Sequence, residues 1–119
     1  MAHTTRRALI LALPLAAAAG AARAHHGWGS YDTGRAFTLA GTITKSSYQN
    51  PHCEIEMQAE GKTWRFVLAP PFRMQNRGVT ADMIAPGKAC TVHGYPHRSD
   101  ASEARIEYVL LDGKRFELR

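Results

Sequence analysis

Cys53-Glu54-Ile55-Glu56-Met57-Gln58-Ala59-Glu60-Gly61-Lys62-Thr63-Trp64-Arg65-Phe66-Val67-Leu68 is the stretch on which the fold turns. From Cys53 to Ala59, Cys53, Ile55 and Met57 fall on one face and Glu54, Glu56 and Gln58 on the other. Successive side chains of a strand point to opposite faces, so this is the period of a half-buried strand. Glu60-Gly61-Lys62 is a hairpin turn, and Thr63 to Leu68 returns with Trp64, Phe66 and Leu68 on the inner face. The pattern predicts an antiparallel hairpin, with Ile55 and Met57 packed against Trp64 and Phe66.

Upstream, Phe37 to Tyr48 is a β-rich segment that ends at Asn50-Pro51. Downstream, Pro70-Pro71 stops the second strand, and Phe72 to Asn76 can form a short helical turn before Gly78. Thr80 can cap another turn through Ile84, with Asp82 near its start. After Pro86-Gly87, Cys90 to Tyr95 is a further strand. Arg105 to Leu111 is the next, and Asp112-Gly113 turns tightly into Arg115 to Leu118. Five or six short strands with one short helical insert predict an all-β fold. Its expected form is a small antiparallel barrel, OB-like, with few exposed edges.

The first residues read as a targeting segment. Arg6-Arg7 precede an apolar run from Ala8 to Ala19, and Ala22-Arg23-Ala24 places small residues where a signal peptidase reads. The expectation is a signal peptide over 1–24 and a single small β-barrel domain over 25–119, in a periplasmic protein. The twin arginine fits a Tat signal, and the same stretch fits a Sec signal. The run is shorter than the ~20 residues a spanning helix needs, so no membrane span is expected after processing. Of the 15 lysines and arginines, Arg6, Arg7 and Arg23 lie in the leader, leaving a small surplus over 10 acids. The remaining cations are scattered singly, which argues against a nucleic-acid partner.

Several short motifs run in order through the whole chain. They are His25-His26, Gly41-x-Ile43, Asn50-Pro51-His52, Trp64 after Gly61, Pro86-Gly87, Val92-x-Gly94 and Asp112-Gly113. In this order and spacing the chain resembles the exported bacterial proteins of domain-of-unknown-function family 6152. The resemblance implies export and a small β fold, and it implies no reaction. The chain departs from the family pattern at Lys88, where an acid usually follows Pro-Gly. It also departs at Leu68, where a glutamate often stands, and at Val79, where a tryptophan often stands.

Two readings of function follow. Cleavage after Ala24 would make His25 the first residue, so that its amine and imidazole, with the His26 ring, form a nitrogen donor set suited to Cu(II) or another late transition metal. His52, at the mouth of a strand, is the candidate third ligand. The other reading is a non-catalytic periplasmic accessory module that binds a ligand or a protein through the barrel face carrying Tyr48, Trp64 or Tyr95. His93 shares the outward face with Tyr95, and His97 follows Pro96 in a loop; both read as surface histidines. No nucleophile elbow, phosphate cradle or helical zinc motif is present, so an enzyme is not expected. Cys53 and Cys90 both fall on inward phases, either bridged or as two buried thiols.

Overall fold

The computed structural model describes residues 27–119. The expected signal peptide, with its cleavage site and His25-His26, lies outside the described residues. Trp28–Ser30 forms a short 3-10 turn. From Tyr31 to Arg119 the chain is one compact unit. Its strands are β1 (Phe37–Ser47), β2 (Glu54–Ala59), β3 (Lys62–Val67), β4 (Ala89–Pro96), β5 (Glu103–Leu111) and β6 (Lys114–Glu117). Between β3 and β4 lie the helix α1 (Pro71–Asn76) and a 3-10 turn, Ala81–Ile84.

The expected hairpin is present with its expected register. Ile55 faces Phe66 and Met57 faces Trp64, and Ala59 pairs with Lys62 across the two-residue turn. Glu60 and Gly61 both have positive φ, at 52° and 75°. A tight hairpin loop requires that backbone because its twist matches that of the flanking strands. Asp112 and Gly113 repeat the same solution between β5 and β6, with Leu111 opposite Lys114.

β1 is the strand that bends the sheet round. Its first half, Phe37 to Thr42, pairs with β4, and its second half, Thr42 to Ser47, pairs with β2. The register to β2 slips by one residue between Ile43 and Lys45, a bulge of the kind that turns barrel corners. Gly41 sits beside this bend. A Cβ there would stand 2.5 Å from the Gln58 carbonyl oxygen, so the two backbones can approach only because the residue is glycine.

The sheet order is β3-β2-β1-β4-β5-β6, and β3 also pairs with β5. That last pairing closes the first five strands into a barrel, and β6 adds to β5 as an extra strand. The expected antiparallel pairing holds in five of the six strand pairings, and the exception is the one that closes the barrel. Arg65, Phe66 and Val67 run parallel to Glu103, Ala104 and Arg105, so the barrel is mixed. Five strands closed in this order, with a helix between the third and the fourth, make an OB-type barrel.

Inside lie Ile43, Ile55, Met57, Phe66, Val92, Ile106 and Val109, all essentially inaccessible. Met74 of α1, Val79 and Ile84 join the same apolar cluster, so the helical insert packs its few buried side chains onto the barrel. Thr80 precedes the 3-10 turn as expected, and its hydroxyl donates to the Asp82 carboxylate at 2.8 Å. No helix among the described residues is long and apolar enough to cross a membrane.

Candidate functional site

Trp64 and Phe66 share the inward phase of β3, but they end in different surroundings. Phe66 is fully buried, whereas Trp64 is only half-buried and packs against the cluster from its margin. The indole stacks on Phe66 at 5.6 Å and on Phe37 of β1 at 5.5 Å, and Phe37 and Phe66 lie 6.4 Å apart, so the three rings form a compact aromatic cluster at the edge of the core. Lys62 adds its ammonium 3.9 Å from the Trp64 ring centroid, within cation–π reach. The indole Nε1 is buried and has no hydrogen-bond partner. Beside Trp64 and Phe37 opens a cleft of 540 Å³ lined by Arg35, Phe37, Thr38, Leu39, Glu60, Trp64 and Pro96. Apolar walls with a few convergent polar groups are the usual make-up of a small-molecule cleft.

The other two residues expected on a binding face lie elsewhere. Tyr48 follows β1 and donates its hydroxyl to the Val79 carbonyl at 2.6 Å, tying β1 to the helical insert. Its phenol is held above the usual range by burial first, with Cys53 adding to it. Tyr48→Phe should therefore cost about 1 kcal/mol of stability, the net worth of one hydrogen bond, measured by urea unfolding. Tyr95 stands on the outward phase of β4 and donates to the Glu107 carboxylate at 2.7 Å. Beside it His93 stacks on Tyr108 at 4.6 Å, its Nδ1 2.8 Å from the Thr38 hydroxyl, while Arg115 lies 3.6 Å over the Tyr108 ring. This outer strip across β1, β4, β5 and β6 meets the cleft lining at Thr38.

His52 is half-buried, between the Asn50–Pro51 cis peptide bond and the buried Cys53. Among the described residues, no three His, Cys, Asp or Glu side chains gather as a metal site. His25 and His26 lie outside the described residues, so the structure does not place the copper donor set together.

The cysteines are inward and buried, and both are free. Burial pushes the Cys53 thiol up to about 11 and the Cys90 thiol up to about 12. Both are thiols rather than thiolates near neutrality, hence poor nucleophiles and poor metal ligands. Titration of the unfolded, unreduced chain should find two free thiols, and the folded chain should react with thiol reagents only slowly.

The start of β5 buries two charged residues that the sequence pattern does not single out. Glu103 and Arg105 are both buried. The Glu103 carboxylate accepts from the Tyr31 hydroxyl and from the Arg65 guanidinium, and Arg65 also reaches Glu54 at 3.1 Å. This network lies directly on the parallel β3–β5 pairing. Burial, together with the bond to Glu103, raises the Tyr31 phenol well above its usual range.

The fold and the cleft thus describe a small OB-type barrel with an aromatic cleft and no assembled metal centre among the described residues. The profile of a family of unknown function, DUF6152, matches residues 12–105, and the chain belongs to that family. None of the curated proteins compared matches it. Among solved structures it is similar to TiaS, a mutant lacking the ZRD bound to agmatine, at 14% identity and a TM-score of 0.53. That match covers 73% of this chain and 27% of that one. Two complexes of TiaS with a tRNA, one with ATP and one with AMPCPP and agmatine, each match at 14% identity and a TM-score of 0.51. Each covers 68% of this chain and 19% of that one. The likeness is one of fold, and this chain spans about a quarter or less of those proteins.

Proposed function

We propose that the chain is exported, processed after Ala24, and serves in the periplasm as a non-catalytic binding module whose ligand enters the Trp64 cleft. The supporting observation is Trp64 itself. A large aromatic is stacked on Phe37, borders open space and carries an indole N–H without an acceptor. Tryptophan exposed at a cleft contributes much contact area with little conformational entropy to lose. The cleft suits a small molecule with one flat apolar group and a polar group for Arg35 or Glu60. Anilinonaphthalene sulfonate tests this in a Trp28→Phe background, where Trp64 is the only tryptophan. Saturable one-to-one quenching that is lost on Phe37→Ala is the expected result. Quenching that is unaffected by Phe37→Ala would place the dye elsewhere and reject the cleft.

The sequence supports a second reading: Cu(II) held by the His25 amine and imidazole, with His26 and His52 as further donors. Binding would then require processing, disappear on acetylation of the new amine, and weaken as falling pH returns protons to the donors. His25→Ala should reduce it most. Titration of the processed protein with Cu(II), before and after acetylation, decides between the readings, because the cleft needs no metal.

A further inference from the structure

The loop that joins β4 to β5 is gathered at its start by one ring nitrogen, and at its end the Asp100 carbonyl accepts the Glu103 backbone N–H at 3.2 Å and the Ser102 carbonyl that of Arg65 at 2.8 Å. His97 Nδ1 accepts the backbone N–H of Ser99 at 3.1 Å and that of Asp100 at 3.1 Å, with the Ser99 hydroxyl at 3.3 Å. A nitrogen that accepts these bonds carries no proton, so the arrangement requires the tautomer with the proton on Nε2. The loop continues through Asp100, whose carboxylate takes the Ser102 N–H and hydroxyl, each at 2.9 Å. Between them the Ala101 carbonyl accepts the Lys62 ammonium at 2.8 Å. That ammonium is the group seated over Trp64. One lysine therefore ties the loop to the aromatic cleft.

The groups around His97 come from four segments. Ahead of β1, the Tyr31 ring stands edge-on at 5.2 Å, its hydroxyl committed to Glu103. From β5, the Glu103 backbone carbonyl accepts the His97 N–H at 3.0 Å, and its carboxylate is taken up by Tyr31 and by Arg65 of β3. Within the loop, Arg98 adjoins His97 in the chain. Asp100 is near enough for a charge on the imidazole to act on its carboxyl. The Ser102 N–H and hydroxyl hold that carboxyl below the usual range, so it stays ionised while imidazoles titrate.

We propose that this loop is an acid-released latch on the aromatic cleft. A proton on His97 Nδ1 turns an acceptor into a donor facing two N–H donors, and two backbone bonds are lost at once. The 98–100 turn opens. Ala101, next along the chain, then no longer holds Lys62 over Trp64, and the indole face becomes available. The effect on a ligand rests on the cleft being a binding site; the release of the loop does not.

His97→Asn separates the latch from a merely structural turn. Asparagine can accept the same two N–H groups from a short side chain, as Asx turns do, and it does not titrate. The experiment uses the full chain and follows it by NMR and Trp64 emission (Trp28→Phe background) from about pH 8 to about pH 5. At the alkaline end, long-range imidazole spectra should show the Nε2-protonated tautomer of His97. On acidification, Ser99 and Asp100 should lose at least about tenfold of their amide protection, corrected for intrinsic exchange. Trp64 emission should shift in step, and His97→Asn should abolish both changes. An Nδ1-protonated tautomer at the alkaline end overturns the proposal. So does an equal loss of protection in His97→Asn, or amide release with Trp64 emission unmoved. Failure of the dye to bind at Trp64 rejects the ligand reading alone.

Discussion

Gly94→Ala should lower stability by about 3 kcal/mol or more, at or beyond the upper end of what overpacking a core usually costs. A Cβ on Gly94 would sit 2.1 Å from the Arg105 carbonyl oxygen and 2.9 Å from its carbonyl carbon, both backbone atoms of the neighbouring strand. The Ile106 Cδ1 is also within 2.8 Å. A flexible side chain can move aside, but a paired backbone moves only by breaking its ladder. Gly94 pairs with Ile106 at the point where the β4–β5 register slips past Glu107, so no slack remains there. Gly113 is the useful contrast. It needs glycine for its φ of 76° and has open space around it, so Gly113→Ala should cost about 1 kcal/mol. Urea unfolding of the two variants tests the distinction. A loss at Gly94 no larger than that at Gly113 would mean that the strands do not approach as closely as described.

Glu103→Ala should cost about 2 to 4 kcal/mol, because it strips the acceptor from a buried phenol and one of two counter-charges from Arg65 together. The figure stays below that for breaking a fully buried ion pair because the Arg65 side chain is 44% exposed. Glu103→Gln keeps an acceptor for Tyr31 and should lose about half as much. An alkaline titration supplies a second check on the same network. The Tyr31 phenol is raised above its ordinary value of 10.0, chiefly by burial and then by its bond to Glu103. Its contribution is therefore whole below about pH 10 and is lost as pH rises through the higher folded value. Tyr31→Phe should flatten that part of the stability curve. An unchanged alkaline limb in Tyr31→Phe would show that the phenol is not the group responsible.

Local pairing was legible in the sequence and remote pairing was not. Ile55, Met57 and Phe66 could be placed because alternation gives the face and Gly61 gives the partner. The parallel contact of residues 65–67 with 103–105 has no turn to announce it. Alternation says nothing about which distant strand lies alongside. The same limit hid Glu103 and Arg105. Charged residues at the start of a strand are ordinarily solvated, and only a network supplied by Tyr31 and Arg65 accounts for burying Glu103. Trp64 shows a different gap. Its phase matched Phe66, but phase does not report how far along the barrel a residue lies, so a core residue and a cleft residue look alike. Tyr48 is grouped by the sequence reading with Trp64 and Tyr95 on a barrel face. Its actual partner, the Val79 carbonyl, comes from a helical insert whose docking the local sequence does not encode. Phe37, Arg35 and Glu60 were missed for the same reason, since only the bend of β1 brings Phe37 against Trp64.

The parallel pairing of β3 with β5 also sets an order of events in folding. The β2–β3 and β5–β6 hairpins close over two-residue loops and can form early and independently. The contact between Arg65 and Glu103 spans 38 residues, so the chain entropy of a long loop is lost before that contact contributes anything. Only three residue pairs make up this junction, fewer than in any other pairing between strands. Barrel closure should therefore be the late step of folding. In reverse, the first opening of the native state should run along β3 and β5, exposing Phe66 while both hairpins persist.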